Sequence, residues 1–254
     1  MIKARAFVGV AVLCTLALSA FTAAGASAKG TTGFTCVKDS GGDVVGAHCL
    51  SSGGGEKYKH VEIEPGKQTT IAATNENTAE GTTAAKVTSI KSTVAGVATE
   101  IQCTSASGTG TFENKTTGEE MYLHSLGQLN FTGCTITLPS GKGCKLKSEA
   151  VTTNQLTSTS AGQGDAVTIS PAEGSVFAEF TIEGCSNPSM NISCAITGNV
   201  KAFGPGATLT TTDAETTSTL KLVGQKAGLE SSLTIKAHAK EGETTNPISV
   251  TTVP

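Results

Sequence analysis

The side chains able to do chemistry are few in this chain of 254 residues: eight Cys, four His, four Asp and a scatter of Glu. His48 beside Cys49 has the residue types of a thiol–imidazole pair, but a bridge from Cys49 to Cys36 would remove the nucleophile. A Ser-His-Asp hydrolase needs a positioned Ser and an orienting acid. The only Asp are Asp39, Asp43, Asp165 and Asp213, and no GxSxG elbow is present. Glu62, Glu179 and Glu183 are the residues a glycosidase pair would draw on, yet each falls on the polar side of an alternating run. His60 and His238 sit on polar strand faces in the same way. Asp39, Asp43 and Glu56 near Gly runs lack the spacing of a calcium loop. Gly53-Gly-Gly55 lacks the strand–helix frame of a phosphate loop. No CxxC pair exists to hold zinc. The expectation is a protein without catalytic residues, metal or cofactor.

The cysteines have a different use. Lys3 and Arg5 precede an apolar run from Ala6 to about Ala24, closed by Ala26-Ser27-Ala28, the pattern of a cleaved export signal over residues 1–28. No later segment approaches the ~18 apolar residues of a membrane span. Seven Cys follow the cleavage point, and an oxidising destination favours disulfides among them. Cys36 and Cys49 bracket a Gly-rich turn, and Cys134 and Cys144 bracket Pro139-Ser-Gly-Lys-Gly143, so both suit local bridges. Cys103 would then pair with Cys185 and leave Cys194 free. The competing scheme pairs Cys185 with Cys194 and frees Cys103. The odd count leaves a thiol over in either case.

Composition narrows the partners. Beyond residue 28 there is no Arg, and sixteen Lys face 21 acidic residues, for a net charge of −5. Without the guanidinium fork, and with mild negative charge, phosphate and nucleic-acid recognition are disfavoured. An envelope protein or a cell-wall component is the expected partner class, though no motif specifies one. Aromatics make up 4% of the chain, too few for stacking platforms. The excess lies in 41 Thr, 23 Ser and 30 Gly, which is strand-and-turn material.

Period-two alternation supplies the elements. In residues 57–64, Val61 and Ile63 fall on one face and Tyr58, His60, Glu62 and Glu64 on the other. Residues 175–183 place Val176, Ala178, Phe180 and Ile182 inward against Glu179, Thr181 and Glu183. Leu233, Ile235, Ala237 and Ala239 alternate with Thr234, Lys236, His238 and Lys240. Leu129 and Phe131 open a further strand that continues through Ile136 and Leu138; Met121–Leu126 fits either a short helical turn or alternation. Turns at Pro65-Gly66, Gly141-Lys-Gly143 and Gly204-Pro-Gly206 divide the runs. The Ala95-Gly96-Val97 and Ala227-Gly228-Leu229 segments echo one another as hairpin tips leading into strands.

The fold expected is all-β, an antiparallel sandwich or barrel with disulfides. Residues 29–85 form an N-terminal strand and linker segment, and 86–254 the main β-domain, with the whole able to form one domain. The Thr-dominated run 208–219 reads as a long loop or an exposed strand edge. The sequons at Asn114, Asn130 and Asn191 are read as chance occurrences.

Short pieces distributed over the chain carry a resemblance. They are Phe34-Thr-Cys-Val-Lys38, Ala47-His-Cys49, Lys57-Tyr-Lys-His-Val61, the run from Val94 to Cys103, Leu129-Asn-Phe-Thr-Gly-Cys134, Gly141-Lys-Gly-Cys144, and Ser170-Pro-Ala-Glu-Gly174 leading to Ile182-Glu-Gly-Cys185. In these the chain resembles a group of uncharacterised exported Cys-containing β-proteins of soil actinobacteria. The resemblance implies an exported β-protein and an unpaired Cys194, and it brings no activity, ligand or catalytic residue. The functional expectation is a secreted or surface protein with a structural or binding role. The alternatives are a secreted hydrolase whose site follows no motif, and an interaction module using the Thr-rich edge.

Overall fold

The structure is a computed structural model that describes residues 31–42, 44–45, 57–75, 86–118, 120–160, 166–203, 208–211, 219–237 and 246–252. The expected export signal, Cys49 and the bridge expected from it to Cys36, His48, Asp43, Gly53-Gly-Gly55, Glu56 and His238 lie outside the described residues. Among those described, every regular element is a strand except one 3₁₀ turn at Pro188–Met190. The strands begin with β1 (Thr31–Lys38), β2 (Val44–Val45), β3 (Lys57–Glu62), β4 (Thr69–Asn75), β5 (Thr88–Val94), β6 (Val97–Thr117) and β7 (Glu120–Leu138). The middle of the chain gives β8 (Lys145–Leu146), β9 (Val151–Thr152), β10 (Leu156–Ser160), β11 (Ala166–Pro171), β12 (Val176–Glu183) and β13 (Ser193–Thr197). The last are β14 (Val200–Phe203), β15 (Thr208–Thr211), β16 (Lys221–Leu222), β17 (Gln225–Ala237) and β18 (Asn246–Thr252).

From β4 to β17 the chain is an up-and-down antiparallel barrel with eight strand positions. Strands β4 and β5 lie end to end between β6 and β17 and make the first position. Strands β6 and β7 are the second and third, paired over their whole length. Segment β8–β10 is the fourth, held to β7 through β9 and β10 and to the fifth, β11–β12, through β10, β8 and the Thr153–Ala178 bridge. The sixth position is β13–β14, the seventh β15–β16 and the eighth β17. Because β17 pairs back onto β4 and β5, the sheet closes on itself, and closure removes the raw edges that would template aggregation.

Alternation directs apolar side chains into this barrel. One half is filled by Ile90, Ile101, Phe131, Phe177, Ile182 and Leu222, and the other by Ile63, Phe112, Leu123, Val167 and Ala202. Outward positions such as Thr104, Ser105, Ser107 and Thr109 are exposed. Polarity is therefore the reverse of a lipid-facing barrel, which carries its apolar band outside. No helix among the described residues is long and apolar enough to cross a membrane. The inward face switches from Ile101 and Cys103 to Ala106 and Phe112 in β6, and from Leu123 and Phe131 to Cys134 in β7. The switch occurs where Gly133 adopts φ +60°, opposite Thr104. A Cβ there would stand 2.2 Å from Thr104 Oγ1, so only glycine permits it.

The N-terminal segment is tied into this barrel. Strand β1 pairs with β18 and β3, and β2 pairs with β3, forming a small sheet that joins β17 through β18. Asn114 of β6, fully buried, fastens that sheet down. Its Oδ1 accepts from Gly33 N at 2.8 Å, and its Nδ2 donates to Gly33 O at 3.0 Å and Ile63 O at 2.9 Å. At Gly33 a Cβ would lie 2.0 Å from the buried Phe112 ring. Asn75 marks the junction of β4 and β5: its Oδ1 accepts from Ala106 N and its Nδ2 donates to Lys86 O.

Several expectations require correction. Cys134 does not pair with Cys144, nor Cys103 with Cys185 or Cys185 with Cys194: the bridges are Cys103–Cys134 and Cys144–Cys185. Cys103 and Cys134 are direct cross-strand partners in the β6–β7 ladder. The loop before Cys144 folds against the end of β12, where Ser186 N donates to Lys142 O at 2.7 Å. Turn chemistry between two Cys thus lost to strand register. Val61 is exposed at 39% while Ile63 is buried at 6%, since β3 belongs to the side sheet and only its end reaches the barrel. Phe177, which strict alternation with Val176 and Ala178 would turn outward, is buried because a bulge between Val176 and Ala178 offsets the alternation. Ala227 and Gly228 lie inside β17 rather than at a hairpin tip, which falls at Val223-Gly224 with φ 52° and 77°. Thr208–Thr211 is not an edge, as β15 is paired on both sides, by β14 and β17; residues 212–218 lie outside the described residues.

Candidate functional site

Strand register assembles one polar cluster that the sequence does not announce. Glu113 on β6 stands opposite His124 on β7, and His124 stands opposite Thr159 on β10, two residues from Thr157. The His124 Nδ1 lies 3.2 Å from Glu113 Oε1, and Nε2 lies 3.3 Å from Thr157 Oγ1. Hydroxyl, imidazole and carboxylate are in the order of a nucleophile relay. Lys115 Nζ reaches Glu113 Oε1 at 2.9 Å. The Lys115 hydrogen bond holds the Glu113 carboxyl below its ordinary value, against the opposing effect of burial and aided by the charges of Lys115 and His124. Acyl transfer also needs amide donors aimed at a developing oxyanion. Around the cluster the backbone is laddered on both sides, with Thr157 opposite both Leu126 and Ser170. As built, the cluster is a cross-strand ladder that fixes a carboxylate on the outer sheet face.

A depressed carboxyl favours the fold above its unfolded value, and the contribution is lost as pH falls through the folded one. Acid unfolding should therefore show a loss of stability beginning near pH 4.5, the ordinary value, and continuing below it. The E113Q variant should have a flatter profile there, as read by circular dichroism from pH 6 to pH 2.

The other candidates stay apart. Glu179 and Glu183 lie on one strand four residues apart, about 13 Å at strand rise, beyond the ~5–9.5 Å of paired glycosidase carboxyls. Glu183 stands 3.6 Å from Lys145 Nζ. Asp39 is used locally: it pairs with Lys59 at 2.6 Å and accepts from Gly41 N at 2.9 Å, and these contacts, Lys59 first, lower its pKa. Among the described residues no group of three or more His, Cys, Asp or Glu could hold a metal ion. The sequon asparagines have structural partners: Asn130 Oδ1 accepts from Thr152 Oγ1 at 2.9 Å and Asn191 Oδ1 from Cys185 N at 2.9 Å.

Cys194 is a free thiol buried in the barrel, and burial pushes its pKa up to about 11 from 9.0. That shift reduces the thiolate fraction at pH 8 roughly 100-fold, and the thiolate is the reactive form. Iodoacetamide should alkylate Cys194 at least ~100-fold more slowly in the folded protein than in guanidinium chloride, measured by mass spectrometry.

The remaining site is the barrel interior. One half has a cavity of about 40 Å³ lined by Ile90, Ile101, Phe131, Phe177 and Leu229. The other has a partly open cavity of about 90 Å³, where Ile71, Leu129, Leu156, Ile169, Leu233 and Ile235 meet the hydroxyls of Ser125, Ser158, Thr211 and Ser231. The Ser125 and Ser158 hydroxyls bond each other, and Ser231 Oγ lies 2.9 Å from Thr88 Oγ1. Gly108 and Gly127 line this half without a side chain, and a Cβ at Gly127 would stand 2.8 Å from Thr109 O. Fold and interior together define a closed, disulfide-bonded, eight-position meander barrel with a small lumen. The chain matches no family model, and neither curated proteins nor solved structures give a match to it.

Proposed function

We propose that this is an exported barrel protein of the cell envelope or medium with a structural or binding role rather than a catalytic one. The observation that carries the reading is the pair of disulfides within a closed all-β barrel, since such bonds persist in oxidising compartments. The export pattern in residues 1–28, the absence of Arg beyond it, and the resemblance to exported actinobacterial proteins support the same reading. The engaged amides around Glu113, His124 and Thr157 weigh against the hydrolase alternative.

The test is fractionation followed by non-reducing peptide mapping and capture from envelope and secreted fractions. The expected result is protein outside the cytoplasm, with Cys103–Cys134 and Cys144–Cys185 oxidised, retaining an envelope protein or wall component. Recovery from the cytoplasm with reduced thiols would sink the proposal.

A further inference from the structure

We propose that the larger half of the lumen binds a small uncharged aliphatic molecule of about four or five heavy atoms bearing one hydroxyl or carbonyl group. This deepens the binding reading above and rests on it. An eight-stranded barrel is just wide enough to be filled by side chains or to hold one small ligand. Here Gly108 and Gly127 supply no side chain, and Ser125 and Ser158 supply short ones. A Cβ at Gly108 or Gly127 would meet the backbone of the paired strand at 2.8 Å, so larger residues do not fit at these lining positions. The resulting space is about 90 Å³, whereas an engineered apolar cavity of about 150 Å³ takes benzene. A smaller molecule is indicated.

The lining sets the chemistry. The wall is mainly aliphatic and carries no ionisable side chain, so a charged guest would lose its hydration without a partner. The Ser125–Ser158 pair uses one of its two O–H groups, leaving one donor and spare lone pairs. That is enough for one polar atom of a guest. Water filling the whole space would need two to four polar partners for each molecule, more than the aliphatic wall offers.

The experiment is methyl NMR of the full chain under xenon pressure and in a 1-propanol titration. Both probes should give saturable shifts at Leu129, Leu156, Ile169 and Leu233, and these should vanish in A73L, which fills the space. The S125L variant serves the same purpose if A73L lacks a dispersed spectrum. In S158A the xenon response should persist while 1-propanol binds about two- to tenfold more weakly, the worth of one hydrogen bond. Absence of saturable lumen shifts in the folded protein, or shifts unchanged in the filling variants, overturns the proposal. Because these spectra do not depend on cellular location or on capture of an envelope partner, their failure is distinguishable from failure of the export reading.

Discussion

Replacing Asn114 with alanine is expected to cost about 3–5 kcal/mol and to release the N-terminal sheet from the barrel. The residue is wholly buried, and its amide is the hinge pin between β6, β1 and β3. Alanine leaves Gly33 N–H without its acceptor and deprives the Gly33 and Ile63 carbonyls of a donor. Each buried group left unsatisfied costs about 1–3 kcal/mol. The loss is moderated because Ile63 N also donates to Gly33 O, at 3.3 Å. Urea unfolding gives the free-energy change, and hydrogen exchange of Thr31–Glu62 reports the release. N130A is the comparison, because its bond to Thr152 is solvent-exposed and should be worth under about 1 kcal/mol. Equal costs for N114A and N130A would refute the clamp.

Removing the Cys144–Cys185 bridge as C144A/C185A should cost about 3–4 kcal/mol. The bond closes a loop with a sequence separation of 41, and the lost restraint on the unfolded chain gives that magnitude. For a protein of this size the shift in Tm is about 10 °C, measured by calorimetry. The effect should exceed loop-closure arithmetic only if the segment from Lys142 to Leu146 also detaches from β12, which exchange at Lys147 N would reveal through its bond to Thr181 O. A change under about 1 kcal/mol would refute the loop-closure origin of the bridge's contribution.

What could be read in advance was periodicity, and what could not was register. The run 175–183 displayed its inward Ala178 and Ile182, but one bulge carried Phe177 inward as well. Cys103 and Cys134 gave no sign of facing one another, because a ladder pairing depends on how far two long strands slide before their hairpin closes. The same holds for Glu113, His124 and Thr157, drawn from three strands and polar in ways that resemble any solvated face. Gly108 and Gly127 sit within strands and line the lumen, a role that depends on which residues face them across the ladder. Asn114, whose sequon reads as a chance occurrence, is fully buried among the described residues, and an isolated amide carries no sequence signal of the backbone groups it will meet.

The meander also imposes an order on folding. Seven of the eight interstrand contacts join neighbours in the chain, but the eighth brings Ile90 to Leu229, 139 positions away. Chain-closure entropy grows with the logarithm of that distance, so the seam costs about 2 kcal/mol more than a ten-residue hairpin. Hairpins rich in local pairing form early relative to such distant ones. The seam of β17 with β4 and β5 is therefore expected to close last, and the Thr88–Ser231 contact lies on the seam whose closure covers those edges.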